Sequence, residues 1–311
     1  MNILFVSSGN SKNVVDPIMQ NQGDSLAPFG HQVSHFTIKG KGIIGYLRNV
    51  FILRSYLKNK SFDIIHAHYS LSAYVSSLAG ASPIVASLMG SDVKASHSSK
   101  YIIKLFAFLS WKAIIVKSKD MRDSSNFSKA YIIPNGVNLD KFKSIDKTKA
   151  LKITQWNVNK KHVLFASNPA RREKNFKLAN EAFNLLEDKN IELHTLIDIQ
   201  NNLIPYYLNA ADVVLLTSLW EGSPNIIKEA MACNIPVLGT DVGDIKELID
   251  NVDGCFVTSF EPKDIAEKLK MALVIGKSIN GREKITELGL NSDSVATNII
   301  SIYKKILSNQ S

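Results

Sequence analysis

Residues 211–249, ADVVLLTSLWEGSPNIIKEAMACNIPVLGTDVGDIKELI, constrain the fold more than any other stretch. Two runs, 213–217 and 235–239, are continuously apolar and rich in β-branched residues. That pattern belongs to strands buried on both faces, as in a parallel sheet covered by helices. Parallel neighbours need a crossover, usually a helix. The sequence supplies one. Glu221-Gly222-Ser223-Pro224 is a turn, Ser223 suits the N-cap and Pro224 the first helical position. Ile226, Ile227, Ala230 and Met231 then share one helix face. The spacing predicts strand, turn, helix, strand, turn, helix, which is the repeat of an open α/β sheet.

Ligands of such sheets bind beyond the carboxyl ends of the strands. Glu221 falls in that loop, and Glu229 lies one to two turns into the helix. The N–H groups of 223–226 point out of the helix start and favour an anionic or hydroxyl-rich ligand. A carboxylate there can accept from two neighbouring hydroxyls of a ribose or hexose, at roughly 1.5–3 kcal/mol per charge-assisted bond. An earlier strand at 162–167 runs into Asn168-Pro169-Ala170-Arg171-Arg172-Glu173-Lys174-Asn175. Cations in that turn suit a diphosphate, Arg as a bidentate fork and Lys as a point charge. The plain alternatives are two surface glutamates around an ordinary cap and a basic loop without a ligand.

The E-x7-E spacing from Glu221 to Glu229 sits within an E-G-S-P-N turn, a K-E-A-M-A helix, an I-P-V strand and a V-G-D turn. This combination resembles the donor-binding half of the retaining GT-B glycosyltransferases of family 4, the glycosyl transferases group 1. The resemblance extends to H-A-H-Y at 66–69, G-S-D at 90–92 and P-N-G-V-N at 134–138. It implies an α/β GT-B fold, two Rossmann-like parallel-sheet domains facing a cleft. Residues 1–145 would bind the acceptor, 146–161 form a linker, 162–290 bind the nucleotide sugar, and a C-terminal helix at 291–311 return to the first domain.

The resemblance also implies roles. Glu229 would hold the ribose, while Glu221 and the amides after it face the transferred sugar. Lys174 and Arg171, with Arg172 as the alternative to Arg171, would hold the diphosphate. Ser223, Pro224, Asn225 and Ile226 complete the donor site. His68 joins Glu221, Arg171 and Lys174 in the catalytic set, with a structural histidine the equal alternative. On the acceptor side stand Gly9, His66 and Asp92, the last either orienting a hydroxyl or capping a turn. Met89 stands where many family members carry a sugar-contacting histidine, a departure from the pattern. The family transfers sugar with retention, by front-face attack with the leaving phosphate taking the acceptor's proton. That implies no protein nucleophile and no cofactor or metal. The sequence has no D-x-D motif. His66 and His68 share a strand face, as an H-x-H metal site would, but no matching ligand cluster accompanies them.

Charge is lopsided. Residues 1–150 hold 19 Lys and Arg, 8 Asp and no Glu, while the remainder is slightly acidic. A basic first half fits an anionic partner such as a membrane surface or a pyrophosphate-bearing acceptor. Residues 43–60 and 101–119 are basic and amphipathic, with aromatics, and read as either membrane-facing or core-facing helices. Ile44, Leu47, Phe51, Arg54 and Leu57 fall roughly in register on the first. Nucleic acid is disfavoured, since the basic residues are not interleaved with a stacking surface. An NAD fold is disfavoured because the loop after strand one has one glycine and no acid marks strand two. No apolar run reaches membrane-spanning length. Residues 2–6 read as strand one rather than a leader. Cys233 and Cys255 read as reduced core residues. The expectation is a cytoplasmic or peripheral-membrane glycosyltransferase of surface-polysaccharide assembly, with a nucleotide sugar and a saccharide or lipid-linked acceptor as partners. A GT-B epimerase or hydrolase and a non-catalytic nucleotide-sugar binder are the other readings.

Overall fold

A computed structural model describes residues 1–10, 15–40, 42–90, 97–276 and 279–309. The chain divides into two compact units, Met1–Gly136 with Ser292–Ser311, and Val137–Asn291.

The first unit is built on six parallel strands: β1 (Asn2–Ser8), β2 (Gln32–Ile38), β3 (Ile64–His68), β4 (Ile84–Ser87), β5 (Trp111–Val116) and β6 (Tyr131–Ile132). Their order is β2-β1-β3-β4-β5-β6. The chain starts at β1, goes one way to β2 and the other way to β3, so the switch point lies between β1 and β3. Helices α1 (Pro17–Asp24), α2 (Gly42–Lys58), α3 (Ser70–Leu78), α4 (His97–Leu109) and α5 (Lys119–Ser125) make the crossovers. All five residues of β3 are buried, as the apolar run required.

The second unit opens with α6 (Lys147–Thr154), then alternates β7 (Lys161–Phe165), α7 (Phe176–Asn184), β8 (Ile191–Thr195), α8 (Ile204–Ala210), β9 (Val213–Leu216), α9 (Asn225–Ala232), β10 (Val237–Thr240), α10 (Ile245–Ile249) and β11 (Phe256–Thr258). Helices α11 (Pro262–Ile275) and α12 (Gly281–Glu287) follow. The parallel order β11-β10-β9-β7-β8 puts the switch point between β7 and β9. Val214, Leu216, Val237 and Leu164 form one core face with Ile227 and Met231 of α9. Val213, Leu215 and Leu238 form the other face with α7 and α11. The last helix, α13 (Ser292–Ser308), buries Val295, Ile299, Ile302, Tyr303 and Ile306 against Ile3, Phe5, Ile64, Val85 and Ile115 of the first unit.

Three expectations change. The stretch 146–161 is not an open linker: Asp146 caps α6 through the amide of Lys149, and Ala150 and Leu151 pack on Ala210 of α8. The segment 101–119 is not one helix, because α4 ends at Leu109 and Trp111 starts a strand. On α2, the stripe of Ile44, Leu47 and Phe51 is exposed, Ile44 at 84% and Phe51 at 69%. Val50 and Leu53 face the core instead. The predicted register splits, since Leu57 packs on the core while Ile44, Leu47 and Phe51 do not.

Candidate active site

The turns after β7 and β9 meet at the switch point of the second sheet. After β7, Arg172–Lys174 forms a single 3-10 turn, ended by Asn175 in the left-handed region at φ 54°. That conformation, tolerated by Asn, turns the chain into α7. After β9, Thr217 donates to the carbonyls of Lys174 and Asn175 at 3.1 and 3.0 Å, and the Leu219 amide donates to the Glu173 carbonyl at 2.9 Å. The two loops are thereby tied together. Their side chains converge too. Lys174 Nζ lies 2.5 Å from Glu221 Oε1, which also accepts from Ser218 Oγ at 2.7 Å. This ion pair is largely shielded, at 12% and 14% side-chain exposure.

The turn after β10 supports the arrangement. Gly243 has φ +66°, and a Cβ there would sit 2.6 Å from the Gly222 carbonyl oxygen. Only glycine allows this close approach to the Glu221-Gly222 backbone. Helix α9 begins at Asn225 with Pro224 as its N-cap, one residue later than the sequence predicted, and no side chain caps it. Pro224 has no N–H, so the outward donors begin at Asn225 rather than Ser223. Ser223 Oγ and Asn225 Oδ1 are buried without a hydrogen-bond partner among the described residues.

One turn further in, charges cluster. Burial pushes the Glu229 carboxyl up to about 7, against the pull of Lys141 and Lys228. Glu229 is half-buried. Burial lowers Lys228 to about 8, opposed by Asp244 and Glu229, and raises Asp244 to about 6. Lys141 is half-buried, hydrogen-bonds Asn201, and is itself shifted down by burial. Sequence reasoning missed Lys141, Lys228 and Asp244. Lys141 fell just outside any motif, and its approach to Glu229 is a long-range contact. Arg171 is exposed and doubly bonded to Glu173, through Nε at 2.8 Å and Nη2 at 2.6 Å. Arg172 is exposed.

In the first unit, the ends of β1, β3 and β4 line a cavity of about 400 Å³ that includes Ser7, Ser8, Asp16, Tyr46, His68 and Tyr69. His66 and His68 share a face and stack with ring centroids 4.3 Å apart. Their fates differ. His66 bonds Tyr303 Oη through Nδ1 at 2.5 Å and Ser87 Oγ through Nε2 at 2.7 Å, and burial lowers its pKa to about 3. Both nitrogens are engaged in holding β3, β4 and α13, so His66 is a structural residue, not an acceptor contact. His68 is 2% exposed, and neither ring nitrogen has a partner among the described residues. Burial holds it well below the ordinary histidine range, so the imidazole is neutral at pH 7. Ser7 Oγ is likewise buried and unpartnered. Tyr69 carries φ 79° and ψ 144°, a strained backbone for a tyrosine, worth roughly 1–3 kcal/mol. Nothing in the sequence signals that strain. Gly9 does not line the cavity. It bonds the Ile38 carbonyl at 2.8 Å, and a Cβ would meet Thr37 at 2.7 Å, so its smallness joins β1 to β2. Asp92 lies outside the described residues. Cys233 and Cys255 are free thiols.

Known proteins share this pattern. A family model described as glycosyl transferases group 1 matches residues 163–274, and one described as glycosyltransferase family 4 matches residues 16–141. A glycosyltransferase ascribed to teichuronic acid biosynthesis in Bacillus subtilis is 27% identical over 236 residues, which is 67% of this chain and 60% of that protein. The chain thus spans less than two thirds of that relative. The UDP-Gal:alpha-D-GlcNAc-diphosphoundecaprenol alpha-1,3-galactosyltransferase of Escherichia coli is 26% identical over 255 residues, 67% of this chain and 65% of that protein. Among solved structures, the sucrose-phosphate synthase of Thermosynechococcus elongatus superposes with a TM-score of 0.83 at 16% identity over 99% of both chains. The fold is therefore GT-B. Each unit is thus matched by a glycosyltransferase family model, and the chain is similar to the family 4, group 1 glycosyltransferases.

Proposed function

We propose that the chain is a retaining glycosyltransferase moving a sugar from a nucleotide-sugar donor to a saccharide or lipid-linked saccharide acceptor, in the assembly of a surface polysaccharide. The observation that carries this reading is the shielded Lys174–Glu221 pair at the switch point of the second sheet, beside the start of α9 and Glu229. A diphosphate takes Lys174 as its cation, which frees Glu221 to accept from hydroxyls of the transferred sugar. The exposed Arg171–Glu173 pair contributes little stability, so Arg171 is readily released to the phosphate, with Arg172 the alternative. Glu229, ionised, accepts from the two ribose hydroxyls. Charge developing on the leaving diphosphate is stabilised by Lys174 and the amides of α9. The acceptor's proton passes to that phosphate, so no side chain acts as nucleophile and no metal takes part.

The acceptor is held by the first unit, where Ser7, Ser8 and the neutral His68 offer hydroxyls and ring nitrogens to sugar hydroxyls. The exposed apolar stripe of α2 lies on a helix with Arg48, Arg54 and Lys58 and no acid. Tyr101, Leu105 and Phe108 of α4 are exposed as well. Such faces suit an anionic lipid surface, and a cytoplasmic, peripheral location follows in this reading. No helix among the described residues is long and apolar enough to cross a membrane. The galactosyltransferase relative uses UDP-Gal by its name, which makes uridine nucleotides the first to try.

Calorimetry on Lys174→Ala tests the reading. The variant should lose at least about tenfold, 1.4 kcal/mol, in affinity for the nucleoside diphosphate while binding the nucleoside unchanged. Equal losses for both ligands would remove the phosphate role of Lys174.

A further inference from the structure

The transferase reading leaves a second cavity unexplained. Between α2 and α3 runs a groove of about 380 Å³, lined by Ile43, Tyr46, Leu47, Val50, Leu71 and Leu78 among others. Apart from tyrosine hydroxyls its side chains are apolar. Ile43, Leu47, Leu71 and Leu78 at its rim are exposed. The volume is that of a small-molecule site. It is narrow for a docked helix, which is 10–12 Å across with its side chains.

Tyr46 ties this groove to the polar cavity, because it lines both. On the polar side it lines the cavity together with Ser8 and Tyr69. Its ring forms the wall of the apolar groove. The polar cavity carries the buried, unpartnered Ser7 Oγ and His68 nitrogens, which call for hydrogen-bonding groups from a ligand. Those groups, a hydroxyl and an imidazole, suit a hydroxyl-rich head; among the described residues neither Lys nor Arg lines either cavity. A polar, hydroxyl-binding end and an apolar channel joined at one amphipathic side chain describe a site for an amphiphile.

We propose that the groove between α2 and α3 binds the hydrocarbon chain of a glycolipid-like acceptor whose saccharide head occupies the cavity at the ends of β1 and β3. This rests on the transferase reading and adds where the acceptor's apolar part goes. Chain length then becomes a specificity determinant. Each buried methylene strengthens binding roughly fourfold, so even a few in the groove dominate the weak binding of a free sugar.

The test uses n-octyl glucoside below its micelle concentration, with methyl glucoside as the chainless control, titrated into the full chain by calorimetry. Octyl glucoside should bind at least about 10-fold tighter than methyl glucoside. Leu47→Asp, at an exposed rim position, should erase that preference while leaving nucleoside diphosphate affinity and melting temperature unchanged. Tyr46→Phe should weaken both glucosides. Equal binding of the two glucosides by the wild-type chain would overturn the proposal, and so would an octyl preference that survives Leu47→Asp. If Leu47→Asp loses only binding to phosphatidylglycerol vesicles, the groove is a membrane contact and the proposal fails. Nucleoside diphosphate binding, measured on the same preparation, reports on the transferase reading separately.

Discussion

Replacing Glu229 by Gln separates what this carboxylate does for stability from what it does for the donor. Burial raises its pKa from 4.5 to about 7. Below pH 4.5 the group is protonated in both folded and unfolded chains. Between pH 4.5 and 7 the folded chain keeps a proton that the unfolded chain has lost, so stability falls as pH rises. Above pH 7 the penalty is complete. At 1.36 kcal/mol per pKa unit it reaches on the order of 3 kcal/mol, a ceiling set by how far the pocket relaxes. Gln resembles the protonated acid and escapes the penalty. Lys228, lowered to about 8 by burial, is pulled back up by the Glu229 charge, so the comparison at pH 8 reads the coupled pair rather than Glu229 alone. The Gln variant should match the wild type at pH 5 and exceed it by about 1–3 kcal/mol at pH 8. If Glu229 holds the ribose as proposed, donor affinity should move the other way, weakening by about 1–3 kcal/mol at pH 8. Urea unfolding followed at Trp156 and Trp220, which lie in the second unit, reads the stability, and calorimetry reads the donor. A stability difference independent of pH would refute the burial of this charge.

Two further substitutions probe the supports of the site. Tyr303→Phe removes the hydroxyl that meets His66 Nδ1 at 2.5 Å in a fully buried setting. It should destabilise the first unit by about 1–3 kcal/mol in denaturant unfolding, without altering nucleoside diphosphate binding, and a neutral result would deny His66 its structural role. Gly243→Ala forces a Cβ against the Gly222 carbonyl at a positive φ. It should displace the Glu221 turn and weaken nucleotide-sugar binding at least tenfold, about 1.4 kcal/mol, and unchanged binding would show that this turn is not part of the donor site.

Much of this architecture was legible because both sheets are parallel and fully covered. Buried parallel strands read as continuous apolar runs, and the crossovers between them carry a helical period, so 213–217 and 235–239 declared themselves. Lys174 and Glu221 were legible for the same reason, since each follows a strand and strand ends place loops on one edge of the sheet. The pairing of the two was not, because it depends on strand order. His66 and His68 are equivalent by period. What separates them is Tyr303, 237 residues away, which claims one histidine and leaves the other facing the cavity. The exposed stripe of α2 shows a different limit. Its period marks an apolar face, but only packing shows that Val50 and Leu53 already supply the core contact. Tyr46 and Tyr69 had no signal as site residues, since one depends on the meeting of two cavities and the other on a backbone conformation.

The central claim is that the second unit binds a nucleotide sugar through protein cations and amides alone. Thermal unfolding of the wild-type chain against a panel of nucleoside diphosphates and their sugars, with and without EDTA, tests it most directly. A ligand at 100 times its dissociation constant should add about 2.7 kcal/mol. The expected result is a raised melting temperature with the nucleotides of one base, unchanged by EDTA and abolished by Lys174→Ala. A shift that EDTA removes, or none with any nucleotide at saturating concentration, would contradict it.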